Sequence, residues 1–403
     1  MRIVSPKYIF SNGEILENLS VAFSEKIEKI GTLQDLKNEF PNAEISEIRE
    51  NSLMMAGFVN SHVHLEYSHH TTEYNYGDFI SWLNSVVANF PNLSQNISDE
   101  VMNETLNRIL KSGTTTVGVI SSLGLDLEVL KNSPIRKVVF NEIIASQPHQ
   151  VDSFYQLWLS RLQKSEELQD EKFTPAVSLH SPYSVHRIVA KKVVELAKTK
   201  NYKISAHSLE SKAERDWLDS ESGEFYDFYM RAYGNAHRHT TVDEFFETLD
   251  LETILVHGNY LNDSELEKIS GNHLIAHSPI SNRLLGNKKL DLQKMEKFGI
   301  PWILATDGLS SNYSLDMLEE MKIALFLHEN MDLESFGKDL LLASTSRPAK
   351  ALGLNVGDIS ENILSDFIFI DLGNLEFDNL QKIPLHTILK GEVYKTFVAG
   401  KEI

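Results

Sequence analysis

The sequence predicts an α/β protein, a (β/α)₈ barrel joined to a small β-sandwich that both chain ends build. Eight apolar segments rich in Val, Ile and Leu alternate with stretches of helical spacing, which is the pattern of parallel strands buried on both faces. Five of these segments end in a His or an Asp, and further strand-like segments occur near both ends of the chain. The 403 residues exceed the roughly 250 of a typical barrel, which leaves room for a second unit.

Residues 1–52 are predicted to form the first half of the sandwich. Short strands are expected at Arg2–Ile9 and Ile15–Phe23, with Ser11-Asn12-Gly13 as the turn between them. This part of the chain contains no histidine and no motif that indicates chemistry.

Residues 53–347 are predicted to form the barrel. Helices are expected at Val185–Lys198, Asp263–Ile269 and Leu315–His328, and Asn262 with Glu265 resembles a capping box for the second of them. The long interval from 207 to 252 is expected to hold an extra helix or a lid. The eight barrel strands are predicted at Leu53–Val59, Thr114–Ile120, Ile135–Ile144, Thr174–His180, Tyr202–His207, Glu252–His257, His273–His277 and Ile300–Asp307.

Residues 348–403 are predicted to complete the sandwich. Two strand-like segments, Asp366–Asp371 and Glu392–Ala399, follow the pair Arg347-Pro348. Because both ends of the chain are rich in strands, we expect them to pair in one small domain with the barrel inserted between them.

Composition excludes several classes of partner and site. The formal net charge of −19 argues against binding to a nucleic-acid backbone. Without cysteine the chain has no disulfide and no thiolate ligand, so any metal must be held by His and carboxylate groups. No signal peptide and no apolar run of about 18 residues is present, so a cytoplasmic protein that does not enter membranes is expected.

The strand ends carry the residues of a predicted metal site. His62 and His64 lie two apart on the first strand, so both imidazoles face the same side. His207 ends the fifth strand, His257 ends the sixth and Asp307 ends the eighth. Three His and one Asp leave an open position for water, as in catalytic zinc sites, and a divalent ion lowers the pKa of such a water from about 15.7 toward 7.

Other residues near these strand ends are candidates for catalysis and for substrate contact. Glu210 follows His207 by three residues, where a carboxylate can transfer protons. His180 ends the fourth strand without a lysine that could bridge two metals, which favours a single ion. For His277 and the residues after it, the sequence does not decide between substrate contact and loop scaffolding. The pair His69-His70 is a candidate for the rim of the pocket.

The motifs N-S-H-V-H, S-A-H-S-L-E, L-V-H-G-N and A-T-D-G-L-S-S-N-Y-S-L-D-M resemble those of the amidohydrolase superfamily, in its branch of mononuclear deaminases and chlorohydrolases of nitrogen rings. The resemblance implies that Glu210 protonates a ring nitrogen, that His257 orients the water, and that Asp307 with His257 takes the proton from it. It also implies that His180 contacts the substrate. The implied ligands of the single metal ion, Zn²⁺ as first choice and Fe²⁺ as alternative, are His62, His64, His207 and Asp307.

Finer motifs, such as R-D-W-L-D-S-E-S-G-E-F and S-P-I-S-N-R-L-L-G-N, resemble the aminodeoxyfutalosine deaminases of menaquinone biosynthesis. This implies an aminopurine nucleoside substrate with a carboxybenzoyl arm, for whose carboxylate Arg136, Arg215 and Arg283 are the open candidates. Ser311 is a further candidate for substrate binding. The stretch after Trp82 lacks the Glu that holds the ribose in methylthioadenosine deaminases.

Several alternatives stay open on the sequence alone. They are a deaminase of methylthioadenosine, adenosylhomocysteine or adenosine, another hydrolase of nitrogen rings, and a catalytically inactive scaffold. A homodimer is one candidate for the oligomeric state, which the sequence does not decide.

Overall fold

A computed structural model describes residues 1–68 and 73–403 of the chain. Its strands form three sheets, of four, six and eight strands. The strands are β1 (Arg2–Val4), β2 (Tyr8–Ser11), β3 (Glu14–Glu17), β4 (Ser20–Phe23), β5 (Ile27–Gly31), β6 (Glu44–Ile45), β7 (Ser52–Ala56), β8 (Phe58–Val63), β9 (Thr114–Ser121), β10 (Arg136–Ile143), β11 (Phe173–Leu179), β12 (Ile204–Ser208), β13 (Thr253–His257), β14 (His273–His277), β15 (Trp302–Leu304), β16 (Phe367–Asp371), β17 (Glu392–Val398) and β18 (Lys401–Glu402).

Helices connect the strands and cover the barrel. Short 3₁₀ helices lie at Leu65–Tyr67, Pro148–Gln150 and Leu380–Lys382. Within the described residues, no helix combines the length and the apolar composition that a membrane span requires. The α-helices are α1 (Leu33–Glu39), α2 (Phe79–Asn96), α3 (Asp99–Lys111), α4 (Leu127–Asn132), α5 (Val151–Glu167), α6 (Arg187–Lys200), α7 (Lys212–Ser220), α8 (Glu224–Tyr233), α9 (Val242–Thr248), α10 (Asp263–Ile269), α11 (Pro279–Leu284), α12 (Leu292–Lys297), α13 (Met317–Leu327), α14 (Leu333–Ala343), α15 (Ser346–Leu352) and α16 (Ile383–Lys390).

The eight-stranded sheet is the predicted barrel. Strands β8 to β15 pair in chain order, and each pair is parallel. The two edges meet where the Asp307 backbone N–H donates to the His62 carbonyl oxygen at 3.1 Å. The prediction of a (β/α)₈ barrel with extra sheets from the chain ends is therefore confirmed. The closure also places the last strand end beside the first, where the metal ligands were predicted.

Alternate residues of the barrel strands pack on opposite faces. Ile254 and Val256 belong to a buried cluster with residues from six other barrel strands, which only the barrel interior can bring together, whereas Leu255 packs with the surrounding helices. Helix α15 closes the lower end of this cluster, for example through Ala349. The predicted boundary between residues 347 and 348 thus lies inside α15, a helix that belongs to the barrel floor.

The chain ends form the predicted sandwich. Strand β7 pairs with β2 in parallel and with β16 in antiparallel orientation, so both ends of the chain share the six-stranded sheet. The four-stranded sheet, in the order β5-β4-β1-β6, packs against it. The core between the two sheets includes Val4, Val21, Phe23, Met54, Phe367, Phe369 and Phe397.

The apolar run Leu53–Val59, predicted as one barrel strand, is two strands in the structure. β7 pairs in the sandwich, whereas β8 pairs with β9 in the barrel. Gly57 separates the two strands. A Cβ atom at this position would lie 2.2 Å from Thr115 Cγ2, so the close contact between the backbone at residue 57 and the Thr115 side chain requires glycine. The prediction of a single strand was wrong because β7 and β8 are both fully buried. Their side chains form one continuous apolar run, and hydrophobicity alone does not show where β7 ends and β8 begins. We propose Gly57 as the first boundary between sandwich and barrel.

Two predicted strands near the N-terminus are also split. Arg2–Ile9 forms β1 and β2 in different sheets, and Pro6 lies between them, where its missing N–H would interrupt a ladder. Ile15–Phe23 divides into β3 and β4 around Asn18, whose φ is 59°. The capping box of α10 is confirmed, since Asn262 and Glu265 bond reciprocally. The long interval after residue 207 holds three helices, α7 to α9.

Buried His273 is expected to make the fold sensitive to acid. It begins β14, at the end of the strand opposite the predicted site, and is 5% exposed. Burial lowers its pKa from 6.5 to about 4, although the charge of Glu252 opposes this. Below pH 6.5 the unfolded chain therefore binds a proton that the folded chain does not. The free energy of unfolding that depends on neutral His273 is therefore fully present above pH 6.5, and it is lost progressively as the pH falls from 6.5 toward 4.

We expect His273→Gln to flatten this dependence, because glutamine does not titrate. Between pH 7.5 and pH 5.0 the variant should lose about 2 kcal/mol less unfolding free energy than the wild type. Urea unfolding at the two pH values measures the difference. His149→Gln, at an exposed histidine, is the control and should follow the wild type. An equal loss in wild type and His273→Gln would contradict the prediction.

Candidate metal-dependent active site

A cavity of about 470 Å³ opens at the carboxyl ends of the barrel strands. This is the end of a (β/α)₈ barrel at which catalytic residues collect. Apolar and aromatic side chains from α2 and α8 form one wall of it, and polar side chains from the strand ends form its floor. The floor residues include His64, Glu142, His180, His207, Glu210, His257 and Asp307.

Four side chains that were predicted to bind metal lie together at this floor, although His62 is fully buried and does not itself line the cavity. His62 Nε2 is 3.2 Å from His64 Nε2, and Asp307 Oδ1 is 3.6 Å and 3.5 Å from these two nitrogens. The ring of His207 packs against that of His62, with the centroids 4.8 Å apart. Its Nδ1 is 2.8 Å from the His180 carbonyl oxygen, so the N–H lies there and the Nε2 lone pair is free.

The chemistry of this donor set fits a divalent transition metal. Burial, followed by the charge of His62, lowers the pKa of His64 to about 3, and burial also lowers that of His207 well below its usual value. The imidazoles of His64 and His207 are therefore neutral and offer lone pairs. Burial alone would raise the pKa of Asp307. The hydrogen bond from His62 and the charges of the neighbouring histidines outweigh burial and hold this pKa well below its usual range. Neutral nitrogens and one carboxylate are ligands that Zn²⁺ and Fe²⁺ both accept.

Asp307 is held in place from three directions. Its Oδ2 accepts hydrogen bonds from Ser281 Oγ at 2.7 Å and from Ser311 Oγ at 2.9 Å, and its Oδ1 accepts one from the Gly308 N–H at 2.8 Å. Ser311 was predicted to bind substrate, but the structure buries it behind Asp307, outside the lining of the cavity. Asp307 itself has a φ of 63°, a strained conformation of the kind found at functional sites.

Glu210 lies at the edge of the ligand group, in surroundings that favour the protonated form of its carboxyl group. Its Oε1 is 3.7 Å from His257 Nε2. Burial raises its pKa well above the usual value, and the charges of Asp307 and Glu214 act in the same direction. Glu214 also fixes the loop, because its Oε2 accepts a hydrogen bond from the Glu210 N–H at 2.8 Å. A protonated carboxylic acid in a cavity wall can give its proton to a bound ring nitrogen.

His257 and His180 flank Glu210 and the ligand group. Strand alternation would point residue 257 outward with Leu255, but His257 has a φ of 69° and its ring stacks on that of His207. His257 Nε2 is 3.9 Å from Asp307 Oδ2. His180 Nδ1 is 2.6 Å from Ser184 Oγ, and burial lowers the pKa of His180 to about 4, so this ring is neutral. Both imidazoles can therefore accept or donate hydrogen bonds at the cavity floor.

The structure does not bring the three predicted arginines to the cavity. Arg136 begins β10, at the opposite end of the barrel, and its Nε pairs with Asp366 Oδ2 at 2.7 Å. Arg215 pairs with Glu265 and Asp219 and lines a different cavity. Arg283 is exposed and lies outside the lining. None of the three arginines is therefore placed to meet a substrate carboxylate in this cavity, and no Lys or Arg lines it among the described residues.

Some residues of the site escaped the sequence analysis. Glu142 is the penultimate residue of β10 and lies on the cavity floor, where Ser122 Oγ donates to its Oε2 at 2.6 Å. Burial raises the pKa of Glu142 to about 7. The signal was present, since the segment V-V-F-N-E ends in a carboxylate just as other strands end in His. The candidate pair His69-His70 lies outside the described residues.

The apolar wall was not predicted either. It comes from α2 and from α8, the helix inside the long interval where a lid was expected. Trp82 is fixed by a hydrogen bond from its Nε1 to the Ser310 carbonyl oxygen at 2.8 Å. The wall consists of Phe79, Trp82, Leu83, Val86, Val87, Phe90, Phe228, Tyr229 and Tyr233, with Ile144 beside them.

Comparisons with known proteins agree with this geometry. The sequence model of the amidohydrolase family matches residues 53–403 of this chain. The aminodeoxyfutalosine deaminase of a Nitratiruptor species is 41% identical over 100% of this chain and 99% of its own length. An adenosine deaminase of Helicobacter pylori is 33% identical over 97% and 96%. A crystal structure of H. pylori aminofutalosine deaminase with methylthio-coformycin superposes with a TM-score of 0.93 at 32% identity, covering 100% of both chains.

Proposed function

The chain belongs to the amidohydrolase family, and we propose that it hydrolyses the 6-amino group of aminodeoxyfutalosine to give futalosine and ammonia. The observation that carries the reaction type is the buried carboxyl of Glu210, whose pKa burial raises, beside a His₃Asp donor set at the mouth of the barrel. The substrate follows from the relatives, one of which is an aminodeoxyfutalosine deaminase at 41% identity. The corresponding pathway is menaquinone biosynthesis, in the cytoplasm.

We assign the divalent ion to His62, His64, His207 and Asp307, with Zn²⁺ as first choice and Fe²⁺ as alternative. When bound, such an ion supplies Lewis-acid activation of water. The protein contributes the rigid donor set. The barrel closure joins Asp307 to His62, and the His180 carbonyl oxygen sets the tautomer of His207.

The proton transfers belong to side chains of this protein. Glu210 gives its proton to N1 of the purine while water adds to C6. Asp307 takes a proton from the attacking water, and His257 Nε2 accepts a hydrogen bond from the same water. Asp307 then passes this proton to the 6-amino group, which leaves as ammonia. The remaining hydroxyl proton returns to Glu210, so that the C6 carbonyl forms and the enzyme is restored.

The apolar wall fits the aromatic arm of the proposed substrate. It lies on one side of the floor where the purine ring would react, and Phe90 and Tyr233 stand at its exposed end. Because no Lys or Arg among the described residues lines the cavity, we expect the carboxylate of the arm to stay in water at the mouth. Affinity for the arm should then depend weakly on salt.

Steady-state kinetics with aminodeoxyfutalosine, methylthioadenosine, adenosylhomocysteine and adenosine test the substrate. Ammonia release should give the highest kcat/KM with aminodeoxyfutalosine. A clear preference for adenosine would overturn the proposed substrate but keep the reaction type. Absence of ammonia release from every aminopurine nucleoside, with the metal bound, would overturn both.

Phe90→Ala is expected to raise KM for aminodeoxyfutalosine about tenfold, because an aromatic side chain contributes roughly 1–2 kcal/mol to such a contact. kcat should change little, since Phe90 is remote from the ligand group. Adenosine, which lacks the arm, is the matched control substrate and should keep its KM. An equal rise in KM for both substrates would show that Phe90 does not contact the arm.

A further inference from the structure

Two asparagines behind the cavity form a reciprocal amide pair. Asn259 Nδ2 donates to Asn282 Oδ1 at 2.8 Å, and Asn282 Nδ2 donates to Asn259 Oδ1 at 3.0 Å. Asn282 is 1% exposed and lies on α11, in the motif S-P-I-S-N-R. Neither asparagine lines the cavity, so neither can touch a substrate there. The pair can act only through its neighbours.

These neighbours are Glu210, contacted at its backbone, and His257, contacted at its ring. Asn259 Nδ2 donates to the Glu210 carbonyl oxygen at 3.1 Å. Asn282 Oδ1 lies 3.0 Å from His257 Nδ1. The amide pair therefore joins the backbone of Glu210 to the imidazole of His257, two residues that lie on different strand ends of the barrel.

The orientation of both amides follows from the Glu210 carbonyl. A carbonyl oxygen only accepts hydrogen bonds, so the amide nitrogen of Asn259 must face it. The oxygen of Asn259 then accepts from Asn282, and the oxygen of Asn282 must face His257. An amide oxygen also only accepts, so His257 carries its proton on Nδ1. This leaves a lone pair on His257 Nε2, directed toward Glu210 Oε1 at 3.7 Å and Asp307 Oδ2 at 3.9 Å.

We propose that Asn282 is a positioning residue that fixes the Nδ1–H tautomer of His257. The function of that tautomer rests on the proposed deaminase reaction. A His257 Nε2 lone pair can accept a hydrogen bond from the attacking water, whereas an Nε2–H could not. The hydrogen bond made by one ring nitrogen of a histidine decides which of the two nitrogens bears the proton, and Asn282 makes that bond with His257 Nδ1.

The test compares Asn282→Leu, which removes both hydrogen-bonding groups at similar size, with Asn282→Asp, which keeps an acceptor for His257 Nδ1–H. In the metal-loaded enzyme, Asn282→Leu should lower kcat about 100-fold and leave KM within about threefold. Asn282→Asp should retain at least a tenth of the wild-type kcat. A kcat for Asn282→Leu within threefold of wild type, or an equal loss in both variants, would overturn the proposal.

A spectroscopic measurement separates positioning from a structural role. In zinc-loaded protein labelled with ¹⁵N-histidine, the His257 signal, assigned through a His257→Gln variant, should show the Nδ1–H tautomer. Asn282→Leu should change that signal, and Asn282→Asp should keep it. An Nε2–H tautomer in the wild type would overturn the inference about Asn282. Because this measurement needs no substrate, failure of the wild type to deaminate would count against the proposed function alone.

Discussion

Asp307→Asn is expected to lower kcat for ammonia release by about 10⁴-fold. The substitution removes the only carboxylate of the proposed ligand set and, with it, the group that takes the proton from the attacking water. An amide oxygen is a weaker ligand and is not a base at neutral pH. Steady-state kinetics at saturating metal, with metal content measured by mass spectrometry, distinguish loss of the ion from loss of the base.

Ser311→Ala is the graded comparison for this prediction. It removes one of two hydroxyl donors to Asp307 Oδ2 and leaves the Ser281 bond at 2.7 Å in place. A charged hydrogen bond contributes about 1.5–3 kcal/mol, so a loss of tenfold to 100-fold is expected. The order wild type, Ser311→Ala, Asp307→Asn should hold for kcat. An Asp307→Asn enzyme that keeps its metal and a tenth of its kcat would contradict the assigned role.

Much of the site could be predicted because parallel strands end at a common edge. In a barrel, residues that are far apart in sequence, such as His62 and Asp307, become neighbours if each ends a strand. Topology alone therefore brings them to within 3.6 Å. The same rule applies to Glu142, the penultimate residue of β10. It was missed because a single carboxylate after a strand, unlike a pair of histidines, does not by itself indicate a site.

The arginines show what strand topology cannot predict. A sequence shows the charge of Arg136 but not its pairing with Asp366, which lies 230 residues further along the chain and accepts hydrogen bonds from Nε and Nη2 of the guanidinium. Arg215 is likewise neutralised by Glu265, on a different helix. Buried cations in folded proteins are paired, and the partners depend on packing distances that hydrophobic patterning does not encode. A prediction of a substrate carboxylate partner needs those distances.

The pair Asn259 and Asn282 illustrates a second limit. Each asparagine alone looks like a turn or cap residue, and only their reciprocal bonds at 2.8 Å and 3.0 Å show that they connect Glu210 to His257. Hydrogen-bond direction is a property of the assembled site. It decides which nitrogen of His257 is a donor, and a list of candidate catalytic residues cannot contain it.

Glu210→Gln is the second large effect, with an expected fall in kcat of about 10³-fold. Glutamine keeps the shape of the side chain and can still donate a hydrogen bond to N1 of the purine, so KM should change little. It cannot release a proton to N1 or accept the hydroxyl proton afterwards. Glu210 is not among the proposed ligands, so metal content should stay at the wild-type level. Glu224→Gln, at an exposed position on α8, is the matched control.

The pH dependence of kcat/KM is a second test of the role of Glu210. Glu210 must be protonated to act, and burial together with the charges of Asp307 and Glu214 raises its pKa well above the usual value. kcat/KM should therefore fall as the pH rises and Glu210 loses its proton, and this fall should lie at a higher pH than the titration of an ordinary glutamate. Glu210→Gln should lose that alkaline limb, whereas Glu224→Gln should keep it. An unchanged limb in Glu210→Gln would assign the titration to another group, and normal turnover with metal bound would remove Glu210 from the mechanism.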